Sequence, residues 1–326
     1  MSMLIALLLA SAASANNFGP VNPEALDATV KELASDAFEG RGPGTPGEER
    51  TIAYLIDRLK EAGLQPAGDK GGWTQVVPLV RTKVEGGTLS ATAGGKAMPL
   101  VQGRDVYVST IRGVDRILIQ NAPMVFVGYG VNAPERQWDD FKGVDLRGKV
   151  VVLLVNDPDF SATPDEPVAG KFGGRRMTYY GRWTYKYEEA ARRGALAALI
   201  VHDEAGAGYG WSTVTAPGGT NYGIPQEREP VLLQGWISGD AAKAMFRASG
   251  LDLDALRIAA RRSDFRPVEL TGETLSTDLT VKHDIVQSHN ILAKIAGTTH
   301  SDEAVMFGAH WDAYGVGAPD AAGRTI

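Results

Sequence analysis

Val305-Met306-Phe307-Gly308-Ala309-His310-Trp311-Asp312-Ala313-Tyr314-Gly315 is the stretch on which the reading of this chain turns. An uninterrupted apolar run of this kind is expected to form a strand buried on both faces of a sheet, and in open α/β sheets chemistry gathers where such strands end. His310 stands at that end. Side chains alternate across a strand, so His310 and Asp312 are expected on one side and Trp311 on the other. A carboxylate is thereby placed to accept one ring N–H of the imidazole, leaving the second nitrogen for a metal. On spacing alone, a hydrogen-bonded structural histidine is the commoner meaning of His-x-Asp.

Outside this stretch, composition narrows the classes of function. At 326 residues the chain is long enough for about two domains, and 44% hydrophobic residues with mixed charge is ordinary for a globular protein. Thirty-nine acidic residues against 33 basic ones give a formal net charge of -6, which carries no electrostatic footprint for nucleic acid. Residues 1–15 have no charged side chain and run Leu4-Ile5-Ala6-Leu7-Leu8-Leu9-Ala10 into Ala13-Ser14-Ala15. An apolar core before a small-x-small site is expected to be a secretory signal peptide cut before Asn16. The run is shorter than the roughly 20 residues that cross a bilayer, so no membrane anchor is expected. The absence of cysteine removes disulfides and thiolate metal sites, which suits a protein secreted by a bacterium or held in a bacterial periplasm.

In chain order, Asn22-Pro23 is an N-cap with proline at the first helical position, and Leu26, Val30, Leu33 and Ala37 follow at helical spacing. After the loop Gly40-Arg41-Gly42-Pro43-Gly44, Thr45-Pro46-Gly47-Glu48 has the form of a capping box. Ile52, Leu55, Ile56 and Leu59 make the apolar face of a second helix that Gly63 ends, and these helix positions are expected to pack a core. Residues 73–119 alternate short β-prone runs with glycine-rich turns, as sheet edges or a hairpin region do. Beyond Pro123, Met124-Val125-Phe126-Val127 and Val150-Val151-Val152-Leu153-Leu154-Val155 are expected as buried strands. A helix ending at Gly194 then runs directly into a strand over 195–201, giving a strand, helix, strand unit.

Ahead of that helix end, basic and aromatic residues interleave. Tyr179, Trp183 and Tyr187 fall at i, i+4 and i+8, which reads as one helix face packed on its domain, with the rim of a substrate cleft as the sharper alternative. Stacking on single-stranded nucleic acid is disfavoured by the acidic charge. The Gly-, Pro- and Thr-rich stretch 203–230 reads as a surface loop, and its Tyr209, Trp211 and Tyr222 are candidates for the same rim. Residues 240–250 and 252–260 read as helices, and 277–281 and 290–297 return to strand patterning. Structural or solvated roles are assigned to His202, His283, His289 and His300.

Two separated stretches carry a resemblance. Gly40-Arg41-Gly42 with Gly44-Thr45, Gly47, Ala53-Tyr54-Leu55 and Gly63-Leu64-Gln65-Pro66-Ala67-Gly68 is similar to the N-terminal signature of the co-catalytic zinc aminopeptidases. Gly308-Ala309-His310-Trp311-Asp312-Ala313-Tyr314-Gly315, with Gly317, Pro319, Asp320 and Gly323 behind it, resembles the first metal-ligand segment of the same family. The family includes glutamate carboxypeptidase and, as relatives that lack or modify the chemistry, transferrin receptor and glutaminyl cyclase. The strands and helix between 120 and 280 resemble the protease-associated domain inserted into many of these peptidases.

The resemblance implies an α/β fold: a zinc-aminopeptidase-type mixed sheet with flanking helices, incomplete here and interrupted by a β-rich protease-associated domain. The implied division is a signal peptide at 1–15, the first part of the peptidase domain at 16–119, the protease-associated domain at 120–280 and the start of the zinc-peptidase core at 281–326. It also implies peptide substrates and two zinc ions, with His310 as a metal ligand and Asp312 as the catalytic-site carboxylate that orients it. In the complete family enzyme a zinc-polarised water, deprotonated by a glutamate, attacks the peptide carbonyl. Asp320 lies where the family has the loop before its bridging aspartate, and the remaining ligands are expected beyond Ile326. The 326-residue chain is therefore expected to be C-terminally truncated, inactive alone and weak for zinc. Two alternatives stand beside this: a receptor-like or peptide-binding protein without the chemistry, against which the retained His310 and Asp312 speak, and acyl transfer of the glutaminyl cyclase type, against which the inserted domain speaks.

Overall fold

Helix formation starts where the cap sets it. In the computed structural model, which describes residues 21–216, 218, 220–300, 302–317, 323 and 325, Asn22 Oδ1 accepts the amides of Glu24 and Ala25 (2.9 and 3.3 Å) at the head of α1 (Pro23–Leu33). No residue of α1 is buried, and Leu26 and Val30, expected in a core, are exposed. The capping box of α2 (Pro46–Glu61) does not close either. Thr45 Oγ1–H donates to Gly42 O (2.6 Å), and Glu48 turns away from Thr45 to accept Gly44 N–H (2.5 Å). The expected signal peptide lies outside the described residues.

The strands follow in a run of short pieces and two long ones. After β1 (Gln65–Pro66), β2 (Thr74–Ala93) turns back as β3 (Lys96–Pro99), the expected hairpin, and β4 (Val106–Ser109) and β5 (Arg116–Phe126) come next. A separate two-stranded piece, β6 (Asn132–Ala133) with β7 (Trp138–Asp139), precedes β8 (Val150–Leu154). Then α3 (Trp183–Arg192), its end marked by Gly194 at φ 74, leads into β9 (Ala197–Val201), parallel to β8. The stretch expected as a surface loop instead holds α4 (Glu204–Ala207), α5 (Trp211–Thr215) and β10 (Thr220–Gly223). The described elements close with β11 (Leu233–Ile237), α6 (Gly239–Ala248), α7 (Leu253–Ala259), β12 (Val268–Ile291) and β13 (Ala293–Lys294).

One mixed sheet organises these elements, in the order β10-β2-β12-β5-β8-β9-β11-β4 with β3 on the side of β2. Its centre, β5 to β11, is parallel, and every position of β8, β9 and β11 is buried, as continuous apolar strands covered on both faces must be. On one face Phe126 meets Phe246 of α6 and Phe265 edge-on, with ring centres 5.3 and 5.9 Å apart; on the other, Tyr187 of α3 packs with Val151, Leu153 and Ile200. On the antiparallel side, β2 and β12 pair from Thr92 opposite Thr274 to Thr74 opposite Ile291, a ribbon interrupted by one bulge between Thr280 and Val281. Residues 76–80 and 88–91, on either side of Gly86 and Gly87, belong to this single strand β2.

Positions 119/120 and 280/281 fall inside β5 and β12, two neighbouring strands of the same sheet. One expectation is corrected here. The strand expected to end at His310 does not form: residues 304–310 are irregular, and Val305, Met306 and Phe307 are 85%, 87% and 93% exposed. A strand buried on both faces needs a neighbour at each edge, and no described strand pairs with this run.

Candidate functional site

The loop before α2 and the segment after His310 meet backbone to backbone. Gly40 has φ 63, and a Cβ there would lie 2.4 Å from Gly315 O, so the contact requires glycine. Gly315 N–H donates to Gly40 O (2.9 Å) and Ala313 N–H to Arg41 O (3.0 Å). Arg41, itself at φ 51, donates Nε–H to Trp311 O (2.9 Å) and an Nη1 hydrogen to Leu33 O. From the opposite direction Trp311 Nε1–H donates to His289 O at the end of β12 (2.9 Å). Trp311 is thus held on both sides, and it is the residue between His310 and Asp312.

His310 and Asp312 face one another as the sequence implied, for a different reason. Their Nδ1 and Oδ1 lie 2.8 Å apart although the backbone is not a strand. With a carboxylate as acceptor, Nδ1–H is the donor of this bond, and Nε2 takes no part in it. The His310 side chain is 92% exposed and that of Asp312 is 38% exposed, so the pair is open to solvent. It lines a cleft of ≈ 470 Å³ whose other walls include Val77 and Leu79 of β2, Ile224, and Ser288 and His289 of β12.

His289 had been set aside as a structural histidine, and Glu48 as a capping residue. Glu48 is 2% exposed, and its Oε1 takes both Ser288 Oγ–H (3.2 Å) and His289 Nδ1 (3.0 Å). His289 lines the His310 cleft and also a second cleft of ≈ 490 Å³ beside Gly44, Glu49, Ile52 and Val286. One signal was available: Ser288 follows Val286 on the buried face of an alternating strand, and a buried hydroxyl needs a partner. Nothing in the linear sequence named Glu48 as that partner.

The aromatic residues proposed for a rim are scattered. Tyr187 is buried and donates its hydroxyl to Gly235 O (3.0 Å), while Trp183 and Tyr179 are partly exposed, the latter in a separate turn before α3. None of the three lines either cleft. The phenol of Tyr209 is pushed above its ordinary pKa by burial and then by Tyr314, which brings this part of the 203–230 stretch up to the His310 segment. His202 is buried with Nε2 3.1 Å from Tyr209 O, and His283 and His300 sit beside Asp115 and Glu303 at 3.4 and 3.8 Å.

The strongest perturbed charges lie elsewhere. Lys186 of α3 is fully buried and donates to Tyr129 O (2.5 Å) and Asn156 O (3.0 Å); burial pushes its ammonium down to about 8, against the opposing pull of Asp157 and Asp140. Asp140 accepts from Val131 N–H and Trp138 Nε1–H (2.9 and 2.8 Å), and burial raises it to about 7.

Among the described residues no group of three or more His, Asp or Glu side chains is placed to hold a metal ion. One imidazole nitrogen beside a carboxylate already engaged by that imidazole falls short of the three protein ligands a catalytic zinc takes. The described residues therefore do not make a zinc site by themselves. Pro319 and Asp320 lie outside the described residues, and among the described ones no helix is long and apolar enough to cross a membrane.

No protein-family model matches the chain, and no curated protein matches it. Among solved structures it is similar to an aminopeptidase from Aneurinibacillus sp. strain AM-1, with 18% identity and a TM-score of 0.35 over 86% of this chain and 50% of that one. It is also similar to the Bacillus subtilis zinc aminopeptidase BSAP, with 17% identity and a TM-score of 0.33 over 84% of this chain and 47% of that one. The chain spans about half the length of these structures. Superpositions this loose carry no weight for activity.

Proposed function

We propose that this chain belongs to an exported zinc-dependent aminopeptidase that removes N-terminal residues from peptides, with His310 supplying a metal ligand and Asp312 holding its imidazole. One observation carries the reading. The two stretches that resemble the family, which supply Arg41 and Trp311 from positions 270 residues apart, are hydrogen-bonded to each other around the His310–Asp312 pair. In this reading Asp312 accepts a hydrogen bond from Nδ1–H and so orients the ring, presenting Nε2 to the metal. The groups that complete the site, two zinc ions and the base that activates water, come from outside the described residues.

The test is made on the protein isolated from its source, by intact mass, zinc content and hydrolysis of aminoacyl-nitroanilides. Bound zinc and turnover are expected, with His310→Ala abolishing both and Asp312→Asn lowering zinc affinity or activity about 10- to 100-fold. The 326-residue chain alone is expected to show no turnover. Source protein with neither zinc nor hydrolysis would replace the enzyme with a binding protein.

A further inference from the structure

We infer that Glu48 is the positioning residue of the His310 segment: one buried carboxylate that ties together the two supports on which Trp311 rests. Its functional meaning depends on the reading of His310 given above; the contact network does not.

The argument follows the hydrogen bonds. Trp311 is held through its carbonyl by Arg41 and through its indole by His289 O. These two holds belong to distant parts of the chain, the loop before α2 and the end of β12. Both lead to Glu48. Its Oε2 accepts the amide of Gly44, three residues after Arg41, and its Oε1 accepts from Ser288 and from the His289 ring. The carboxylate is 2% exposed on a helix whose apolar positions are only half-buried, so it sits deeper than the hydrophobic face beside it. A buried carboxylate is costly unless its oxygens are satisfied, and here each is satisfied by a different support. Removing it unties both at once, whereas losing either support alone leaves the other.

The experiment reads indole N–H exchange by NMR in the 326-residue protein labelled with ¹⁵N-tryptophan, which has six such signals. Trp138, whose indole donates to Asp140 (2.8 Å), serves as internal standard. Glu48→Gln keeps the shape but offers one acceptor oxygen in place of two. It is expected to speed exchange at Trp311 about ten-fold or more while Trp138 stays within about two-fold. Unchanged exchange at Trp311 overturns the inference. So does equal acceleration at both indoles, which would make Glu48 a support of the whole fold. If Glu48→Gln does not fold, the partly exposed His289 gives the same answer. His289→Ala should speed Trp311, and His289→Gln, whose amide N–H can still reach the carboxylate, should restore it; equal rates in the two variants overturn the proposal. None of these signals needs zinc or turnover, so failure of the peptidase reading leaves the exchange result standing. Zinc-dependent activity without the exchange effect removes only this inference.

Discussion

Val150-Val151-Val152-Leu153-Leu154 and Val305-Met306-Phe307 are both uninterrupted apolar runs, yet the first is 0–1% exposed and the second 85–93%. β8 has β5 and β9 hydrogen-bonded along its two edges, α3 packed on one face and α6 on the other. Residues 305–307 have no strand beside them among the described residues. Local sequence states how much burial a segment requires, and only partners elsewhere in the chain can meet that requirement.

The sharpest way to break this comparison is to place a charge in each run. Val152→Asp puts a carboxylate where no water reaches and is expected to cost more than about 4 kcal/mol, enough to leave no folded protein by circular dichroism. A folded, soluble Val152→Asp variant would show that β8 is not the centre of the core.

A second, intermediate effect sharpens the contrast by titrating the core. Asp140 holds its proton up to about 7 in the fold but only to 3.8 when unfolded. Between those values the folded state binds the extra proton, so this group's contribution to stability falls as pH rises, by at most about 1.4 kcal/mol per unit. Lys186 behaves oppositely: at about 8 folded against 10.5 unfolded, the unfolded chain holds the extra proton, and stability rises with pH across that window. Urea midpoints compared between wild type and Asp140→Asn should lose the acid limb in the variant alone. Parallel profiles would mean that Asp140 is ionised in the fold. The smallest effect belongs to Phe307→Asp, expected to leave the midpoint within about 0.5 kcal/mol because the ring is 93% exposed. A large loss there would show that residues 305–307 are covered by something in solution.

What the sequence disclosed follows the same division. Asn22 with Pro23, Gly194 after α3, and the apolar runs of β8 and β9 are local signals, and each appears where it was expected. The long pairing of β2 with β12 was invisible, because strands about 200 positions apart in sequence declare no partner in their own residues. In the site, the pairing of His310 with Asp312 was expected from strand alternation and occurs without a strand, and nothing in the sequence placed Gly40 against Gly315. Glu48 was misread because Thr45-x-x-Glu48 is the pattern of a capping box. Its buried position depends on Ser288 and His289, 240 and 241 residues away, which no local rule can anticipate.

The β2–β12 ribbon has a mechanical consequence. It is hydrogen-bonded to β5 of the central sheet as far as Thr280, and near its far end it carries His289 and through it Trp311. From Thr280 to His289 the strand spans at most about 30 Å. An arm of that length turns one degree of rotation at its root into about 0.5 Å of travel at its end. The stiffness of the antiparallel ribbon beyond Thr280 therefore acts together with the Glu48 contacts in fixing where Trp311 is held.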